Sequence, residues 1–391
     1  MSFSEREIYT LKELNCKFLS GFAFKSSDYR DSGIPLIKIG NIQNRHVEIN
    51  SNGTFVSKEL INNKTNKFLL KRGDVLIAMT GQGSVGRVGK LKLELGDKAF
   101  LNQRVGKLLC DNVTLNIDYL YYSLVTEKYQ KLLFNMGVGS GQPNLSPEQI
   151  LSIKLPYLSL DVQHRIAAIL SSLDDAIELN QQTNKTLEEI AQTLFKEMCL
   201  PKGGELPEGW RIGKLGEIIQ NFDSRRKPLS SRERENRKGI YPYYGAASIF
   251  DYIDDYLFDG IYLLLGEDGT VITEDEKPVL QYVSGKFWVN NHAHILQGKD
   301  YYSTEFSYLL LKNTNIKSLV TGAVQPKINQ GNMNNLEIIL PDKETVLKLQ
   351  NIVTPIFESI LDNEQENKTL SALRDLLLPK LMKGEINLNG I

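Results

Sequence analysis

Between residues 161 and 198 apolar side chains return every seven positions. With Asp161 as N-cap, Ile166, Leu173, Asn180, Leu187 and Leu194 form one row, and Ile169, Ala176, Thr183, Ile190 and Glu197 a second. A later stretch repeats the pattern, with Leu349, Ile356, Asn363, Leu370 and Leu377 in the first row and Ile352 and Leu373 in the second. A heptad of this length belongs to a helix lying along another helix. Each first row has an asparagine at its middle, which in a coiled coil fixes register at a cost in stability. If the helices run antiparallel, Asn180 and Asn363 are expected to meet. Pro355 is expected to kink the second helix or delay its start. The plainer alternative is two unrelated amphipathic helices, each packed on its own domain.

The intervening stretches read differently. Residues 1–157 and 203–341 hold short β-branched runs, glycine turns and one helix near each end, an α+β pattern. Strands are expected at 34–42, 74–80, 260–266 and 293–297, and helices at 117–135 and 304–320. The Pro/Gly-rich run "PKGGELPEGW" (201–210) reads as a linker. The expected organisation is a first domain at 1–157, a central helix at 158–202, a second domain at 203–341 and a distal helix at 342–391.

One offset relates the two halves. The tetrapeptide NKTL occurs at 184–187 and again at 367–370, and the same shift of 183 carries Gln142-Pro143 onto Gln325-Pro326. With a slip of two residues, "IKLP" ending at Pro156 meets "IILP" ending at Pro341. Agreement at one offset points to an internal duplication of domain, strand ending in proline, and long helix.

Composition changes this picture little; charge changes it more. The 391-residue chain is 41% hydrophobic and 24% charged with a formal net charge of −1, ordinary for a globular protein. The opening "MSFSEREIYT" lacks the apolar core of a signal peptide, and no apolar run approaches a membrane span, so the expectation is a cytoplasmic protein with no membrane contact. Cys16, Cys110 and Cys199 lie too far apart in sequence to suggest a disulfide framework or a CxxC clip. Residues 1–157 hold 21 Lys/Arg against 14 Asp/Glu, and seven basic residues crowd into 225–238, "RRKPLSSRERENRK". Such clustering is the footprint of phosphate contacts, although a solvated loop that binds nothing has the same composition.

Several motifs carry less than they first offer. "GQGSVG" (81–86) matches a dinucleotide fingerprint, but "RVGKLKLEL" follows it like a strand where that site needs a helix, so a β-turn is expected. The chain has no GxxxxGK[ST] loop for ATP and no NPPY-like tetrapeptide for methylating a base amino group. His292 and His294 share one face of a strand, but no third ligand lies nearby, so no metal is expected. "DEK" (275–277) reads as a charged turn and not as part of a nuclease centre. Tyrosines in "YPYYGA" (241–246) are more often core than ligand-facing.

Taken together, "GIPLIKIGNI", "GDVLIAMTGQGSVGRVG", "LNQRVGKL", "GSGQPNLS" with "IKLPYLSLDVQHRIAAILSSLDDAI", "YPYYGAASIFDYIDDY", "LLGEDGT", "NNHAHIL" and "GAVQPKIN" resemble the specificity (S) subunits of type I restriction–modification systems over nearly the whole chain. The resemblance implies two target-recognition domains, each followed by a long helix. The helices would pack as an antiparallel coiled coil with pseudo-two-fold symmetry, serving as spacer and docking platform. It also implies that each domain reads one half of a bipartite, asymmetric double-stranded DNA target. Two methyltransferase (M) subunits and two restriction (R) subunits would be partners, and they would use S-adenosylmethionine, ATP and Mg. The chain itself would be a non-catalytic subunit that binds no cofactor.

On that basis Arg225, Arg226, Lys227, Arg232 and Arg234 are expected to hold phosphates. Base readout is expected from Lys38, Asn41, Gln43, Arg45, Gln82, Ser84, Arg87, Asn102, Gln103 and Arg104 in the first domain. In the second it is expected from Tyr243, Tyr244, Asp268, Asn291, His292 and Lys327. The competing readings are a non-enzymatic scaffold whose two modules bind proteins, and an enzyme using the glycine loop at 81–86.

Overall fold

A computed structural model describes residues 7–49, 53–94, 96–138, 142–322, 325–386 and 388. The chain divides into two compact units, Met1–Ile177 with Lys368–Ile391, and Glu178–Asn367. The division falls inside both long helices, so each unit holds one module and a segment of each helix.

The first unit contains β1 (Ile8–Thr10), β2 (Lys17–Ser20), β3 (Tyr29–Arg30), β4 (Ile34–Ile37), β5 (Arg45–His46), β6 (Phe55–Val56), β7 (Leu69–Leu70), β8 (Val75–Ala78), β9 (Val88–Lys90), β10 (Ala99–Leu101) and β11 (Val105–Leu109). Helices α1 (Ile117–Leu124), α2 (Glu127–Gly137) and α3 (Pro147–Leu151), strand β12 (Lys154–Pro156) and the long helix α4 (Leu160–Cys199) follow. The second module has β13 (Arg211–Lys214), β14 (Ile219–Asn221), α5 (Ser231–Asn236), β15 (Lys238–Tyr244), β16 (Ile249–Ile253), β17 (Phe258–Asp259), β18 (Tyr262–Gly266), β19 (Leu280–Val283), β20 (Lys286–Val289) and β21 (Ala293–Gly298). It ends with α6 (Thr304–Lys312), α7 (Gln330–Asn334), β22 (Glu337–Leu340) and the long helix α8 (Lys343–Lys383).

The two modules share one topology. The sheet β2-β11-β8-β9-β5 has its counterpart in β14-β21-β18-β19, and β3-β6-β4-β10-β7 in β16-β15-β20-β17. The antiparallel pair β1/β12 returns as β13/β22, and the parallel pair β4/β10 as β15/β20. Strand β8 shows why this fold needs an unbroken apolar run. Val75 and Ile77 face a core shared with the helices, whereas Leu76 and Ala78 face the core between the two sheets. Successive side chains point to opposite faces, so a strand between two cores is apolar throughout. Strand β18 repeats the arrangement, with Leu263 and Leu265 toward the helices and Tyr262 and Leu264 toward the second sheet.

Where the helices differ from expectation, local chemistry explains it. The helix expected at 117–135 is two, because Thr126 takes the N-cap conformation and its Oγ1 donates to Ser123 O. The helix expected at 304–320 stops at Lys312, where Asn313 and Thr314 donate side-chain hydrogen bonds to the carbonyls of Leu309 and Leu310. Helix α8 starts at Lys343 and runs unbroken through Pro355, which lies on its exposed face. Asn351, whose carbonyl loses its helical partner there, is also exposed and can bond to water.

The first heptad row is buried or half-buried throughout, but Ile190, Ile352 and Leu373 of the second are 45%, 46% and 41% exposed. Burial on α8 instead follows Val346, Leu349, Val353, Phe357 and Ile360, nearer the 3.6-residue turn of a straight helix. Each helix segment packs on its own module as well as on its partner helix, and that wider contact shifts the stripe. The segments run antiparallel in both units. In the second, Asn180 donates to Glu366 and Asn367 while Asn184 donates to Ile360 O. In the first, Asp174 pairs with Arg374 and Arg165 donates to Leu388 O.

Candidate nucleic-acid interface

Two duplicated devices place the polar loops. The first is a buried glutamine on each long helix. Gln163 is 1% exposed; its Oε1 accepts from the Asn116 amide at 2.8 Å, and its Nε2 donates to Thr114 O at 3.1 Å and Leu158 O at 2.8 Å. Gln350 Oε1 accepts from the Ser303 amide at 2.5 Å and its Nε2 donates to Tyr301 O at 3.0 Å. Asn116 and Ser303 are the N-caps of α1 and α6, so each glutamine grips the start of its module's main helix.

The second device is the Gln-Pro segment. Pro143 O accepts from Gly81 N at 3.3 Å, and Leu145 N donates to Met79 O at 2.7 Å. In the other module Pro326 O accepts from Gly269 N at 3.0 Å, and Ile328 N donates to Glu267 O at 2.9 Å. Both glycines have positive φ, +107° and +86°, which a side chain would disfavour. The motif therefore clips the glycine turn after β8 or β18. Residues 139–141 of the first copy and 323–324 of the second lie outside the described residues.

In the first module the clipped turn lies beside the turn before β11, because Met79 N donates to Arg104 O. Gln82, Gln103 and Arg104 are exposed there and Ser84 is half-buried. Arg87 approaches Gln43 Oε1 at 3.4 Å and brings that loop in as well. Other expected readers serve the fold. Asn41 accepts from Lys38 N and donates to Glu48 O, and Asn102 is buried and accepts from Arg104 N. The Lys38 ammonium donates to Thr54 Oγ1 at 2.7 Å, and burial lowers its pKa. Arg45, at a positive φ of 79°, pairs with Asp375 on α8 while its carbonyl accepts from Tyr121 OH, so its charge goes to holding the helix.

In the second module a buried ion network ties four loops together. Arg226 lies 2.5 Å from Glu267 and 3.5 Å from Asp223, donates to Ala293 O, and leaves only 15% of its side chain exposed. His294 Nδ1 is 2.5 Å from Asp223 Oδ2, and its Nε2 is 2.8 Å from Ile328 O. Both ring nitrogens thus face oxygen atoms of neighbouring segments. Burial opposes ionisation of Asp223, but the hydrogen bond and charge of His294, with the Ile295 amide, hold its carboxyl below the usual range. Asp223, Glu267 and His294 converge closely enough to hold a metal, yet Arg226 and Lys327, the latter 3.7 Å from Glu267, already balance the carboxylates. Of these three only His294 stands out in the sequence; 71 positions separate it from Asp223, and only folding brings the carboxylates to it.

Around this network Asn291 and Lys327 are exposed, and His292 is half-exposed with Nδ1 3.6 Å from Asp268. On the basic segment Arg225, Lys227 and Arg232 are exposed. Arg226 and Arg234 turn inward and are not free for phosphate; Arg234 donates to Leu229 O and lies 4.8 Å from the Phe250 ring. Tyr243 is 1% exposed and its hydroxyl accepts from Leu229 N, so it belongs to the core. Tyr244 is half-buried, edge-on to Phe287. Burial raises its hydroxyl pKa to about 12.

The glycine run at 81–86 leads into β9, which pairs with β8 as a hairpin, so the helix a dinucleotide site requires is not there. A Cβ on Gly86 would come within 2.8 Å of the Leu133 side chain, so this glycine admits α2 against the turn. The "DEK" segment is a turn, with Glu276 bonded to Lys317 and Asn315 and Lys277 donating to Asn313 O. No helix among the described residues is long and apolar enough to cross a membrane.

The family model for the type I restriction modification DNA specificity domain matches twice, over residues 4–189 and 207–374. The specificity subunit of the type I restriction enzyme MjaIX of Methanocaldococcus jannaschii is 28% identical over 306 residues, 70% of each chain. That of the HindI enzyme of Haemophilus influenzae is 24% identical over 365 residues, 69% of this chain and 77% of its own. The crystal structure of the type I restriction–modification S subunit from M. genitalium shares the fold, with a TM-score of 0.59 over 96% of this chain and 95% of that one at 17% identity.

Proposed function

Since the chain belongs to the family of type I restriction–modification DNA specificity subunits, the non-catalytic members of those complexes, we propose that each of its two recognition domains reads one half of a bipartite, asymmetric DNA target. The observation that carries this is the duplication itself, one topology occurring twice with the polar groups at corresponding loops replaced. Gln103 and Arg104, just before β11, stand in the first module where Asn291 and His292 stand before β21 in the second, and Asn144 follows Pro143 where Lys327 follows Pro326. Different groups on equivalent loops read different bases, which makes the target asymmetric. Arginine and lysine suit guanine, and asparagine and glutamine suit adenine. Arg225, Lys227 and Arg232 neutralise phosphates without reading sequence.

The long helices set the unread spacer. With 40 and 41 residues each is about 60 Å long at about 1.5 Å per residue, more than one DNA turn of about 34–36 Å. Two methyltransferase subunits dock on this chain and two restriction subunits join them in the cytoplasm. S-adenosylmethionine, ATP and Mg are used by those partners.

Genome-wide adenine methylation with and without this gene tests the reading. Loss of methylation at one split motif supports it. An unchanged pattern from a chain that is expressed and assembled with its methyltransferase would exclude it, and would favour the scaffold alternative.

A further inference from the structure

Two of the three cysteines, distant in sequence, are neighbours in the fold. Strands β2 and β11 pair antiparallel with Lys17 opposite Leu109, and one step further along that register sets Cys16 opposite Cys110. The Cys110 thiol donates to the Cys16 sulfur, with the sulfurs 3.9 Å apart and the residues 94 positions apart in the chain. Directly opposed antiparallel residues have Cα atoms about 4.5–5.5 Å apart, within the span of about 4.4–6.8 Å that disulfides use. Side-chain rotation can therefore bring the sulfurs to bonding distance with the backbone in place. Cys110 is partly exposed, whereas Cys16 is buried.

We propose that Cys16 and Cys110 form a reversible dithiol–disulfide couple, an oxidation site for hydrogen peroxide in the first recognition module. The hydrogen bond from Cys110 lowers the Cys16 pKa although burial raises it, and Cys110 is raised, first by the same bond. Because the Cys110 thiol points its proton at the Cys16 sulfur, Cys16 is the sulfur placed to act as the thiolate. Its thiolate attacks one peroxide oxygen, the O–O bond breaks, and the departing hydroxide takes a proton to leave as water. The Cys110 sulfur then attacks the Cys16 sulfenic acid, releasing a second water as the S–S bond forms. Two thiols lose two electrons and two protons, and one peroxide is reduced to two waters. The bond would pin the end of β11 opposite Arg104, leaving the reading loops uncovered.

The third cysteine is an internal control. Cys199 is buried on α4, and burial, with the nearby Asp342 charge, raises its thiol to about 12. The test exposes the full chain to hydrogen peroxide, then denatures, alkylates and maps its peptides. The expected product is a Cys16–Cys110 cross-linked peptide pair, lighter by two hydrogens and restored by dithiothreitol, with Cys199 still alkylated. The oxidised chain should also melt several degrees higher, because the bond closes a long loop. In Cys110→Ser, Cys16 should stop at the sulfenic acid and be captured by dimedone. The proposal is overturned if both thiols are recovered free at a peroxide dose that oxidises them in the denatured chain. It is equally overturned if one ends as sulfinic acid while the other stays a thiol.

Discussion

Asn180 donates to Asn367 Oδ1 at 3.1 Å, and Asn363 donates to Asn184 Oδ1 at 2.7 Å. These are one interaction made twice, since 183 residues separate Asn180 from Asn363 and also Asn184 from Asn367. The pseudo-two-fold that relates the helices is thus written in hydrogen bonds between side chains. The two heptad asparagines do not bond to each other; each takes the asparagine that opens the opposite NKTL. Asn363→Leu should leave the Asn184 oxygen without this donor and cost about 1 kcal/mol. Double-mutant cycles on Asn180/Asn367 and Asn184/Asn363, read by denaturant unfolding, should give similar couplings of about 0.5–1.5 kcal/mol. A coupling near zero in either pair would break the symmetry argument.

Gln163→Leu should be among the most damaging single changes in the first unit. It leaves the Asn116 amide and the Thr114 and Leu158 carbonyls without their partner in a buried setting. At about 1–3 kcal/mol for an unsatisfied buried group, with some relaxation, the loss should be about 2–4 kcal/mol in urea unfolding. Gln350→Leu should cost less, because Gln350 makes two such bonds. Equal stability of Gln163→Leu and wild type would mean the glutamine does not hold the helix to its module.

How far these devices were legible in the sequence depends on their range. The duplication, the two long helices and the place of NKTL follow from periodicity and one offset, because a helix repeats its own environment every turn. The Gln-Pro motif was visible as a repeat, but its work as a backbone clip on Gly81 and Gly269 was not, since the bond joins segments about 60 residues apart. Gln163 looked like an ordinary polar position in an amphipathic helix. Arg226 was indistinguishable from Arg225 by composition, and only the fold turns one inward onto Glu267 and leaves the other exposed, with its guanidinium over the Phe258 ring and donating to Leu257 O.

That separation of adjacent arginines can be measured. Single substitutions Arg225→Ala, Lys227→Ala and Arg232→Ala should each weaken DNA binding about equally for all sequences and reduce the slope of log K against log salt by about one. Arg226→Ala should leave the salt slope nearly unchanged and lower stability instead, since Glu267 and Asp223 lose their counter-ion. A salt slope that responds to Arg226 and not to Arg225 would reverse the assignment.

The buried network should also set an acid limit. Asp223 titrates below its ordinary value of 3.8, so its contribution is present above that pH and lost as pH falls through the lower folded value. Wild type should therefore lose this contribution as pH falls below about 4. Asp223→Asn should be less stable at neutral pH and show a shallower acid limb. Parallel acid limbs in pH-dependent melts would mean that Asp223 is not the group responsible.

Division of labour between the two modules is tested most directly by exchanging one of them. Residues 1–157 would be replaced by the corresponding module of a relative with a different target, and the methylated motif of the host genome sequenced. One half of the motif should change to the donor's half, with the other half and the spacer length retained. A change in both halves, or an unchanged motif from an assembled complex, would contradict independent half-site reading.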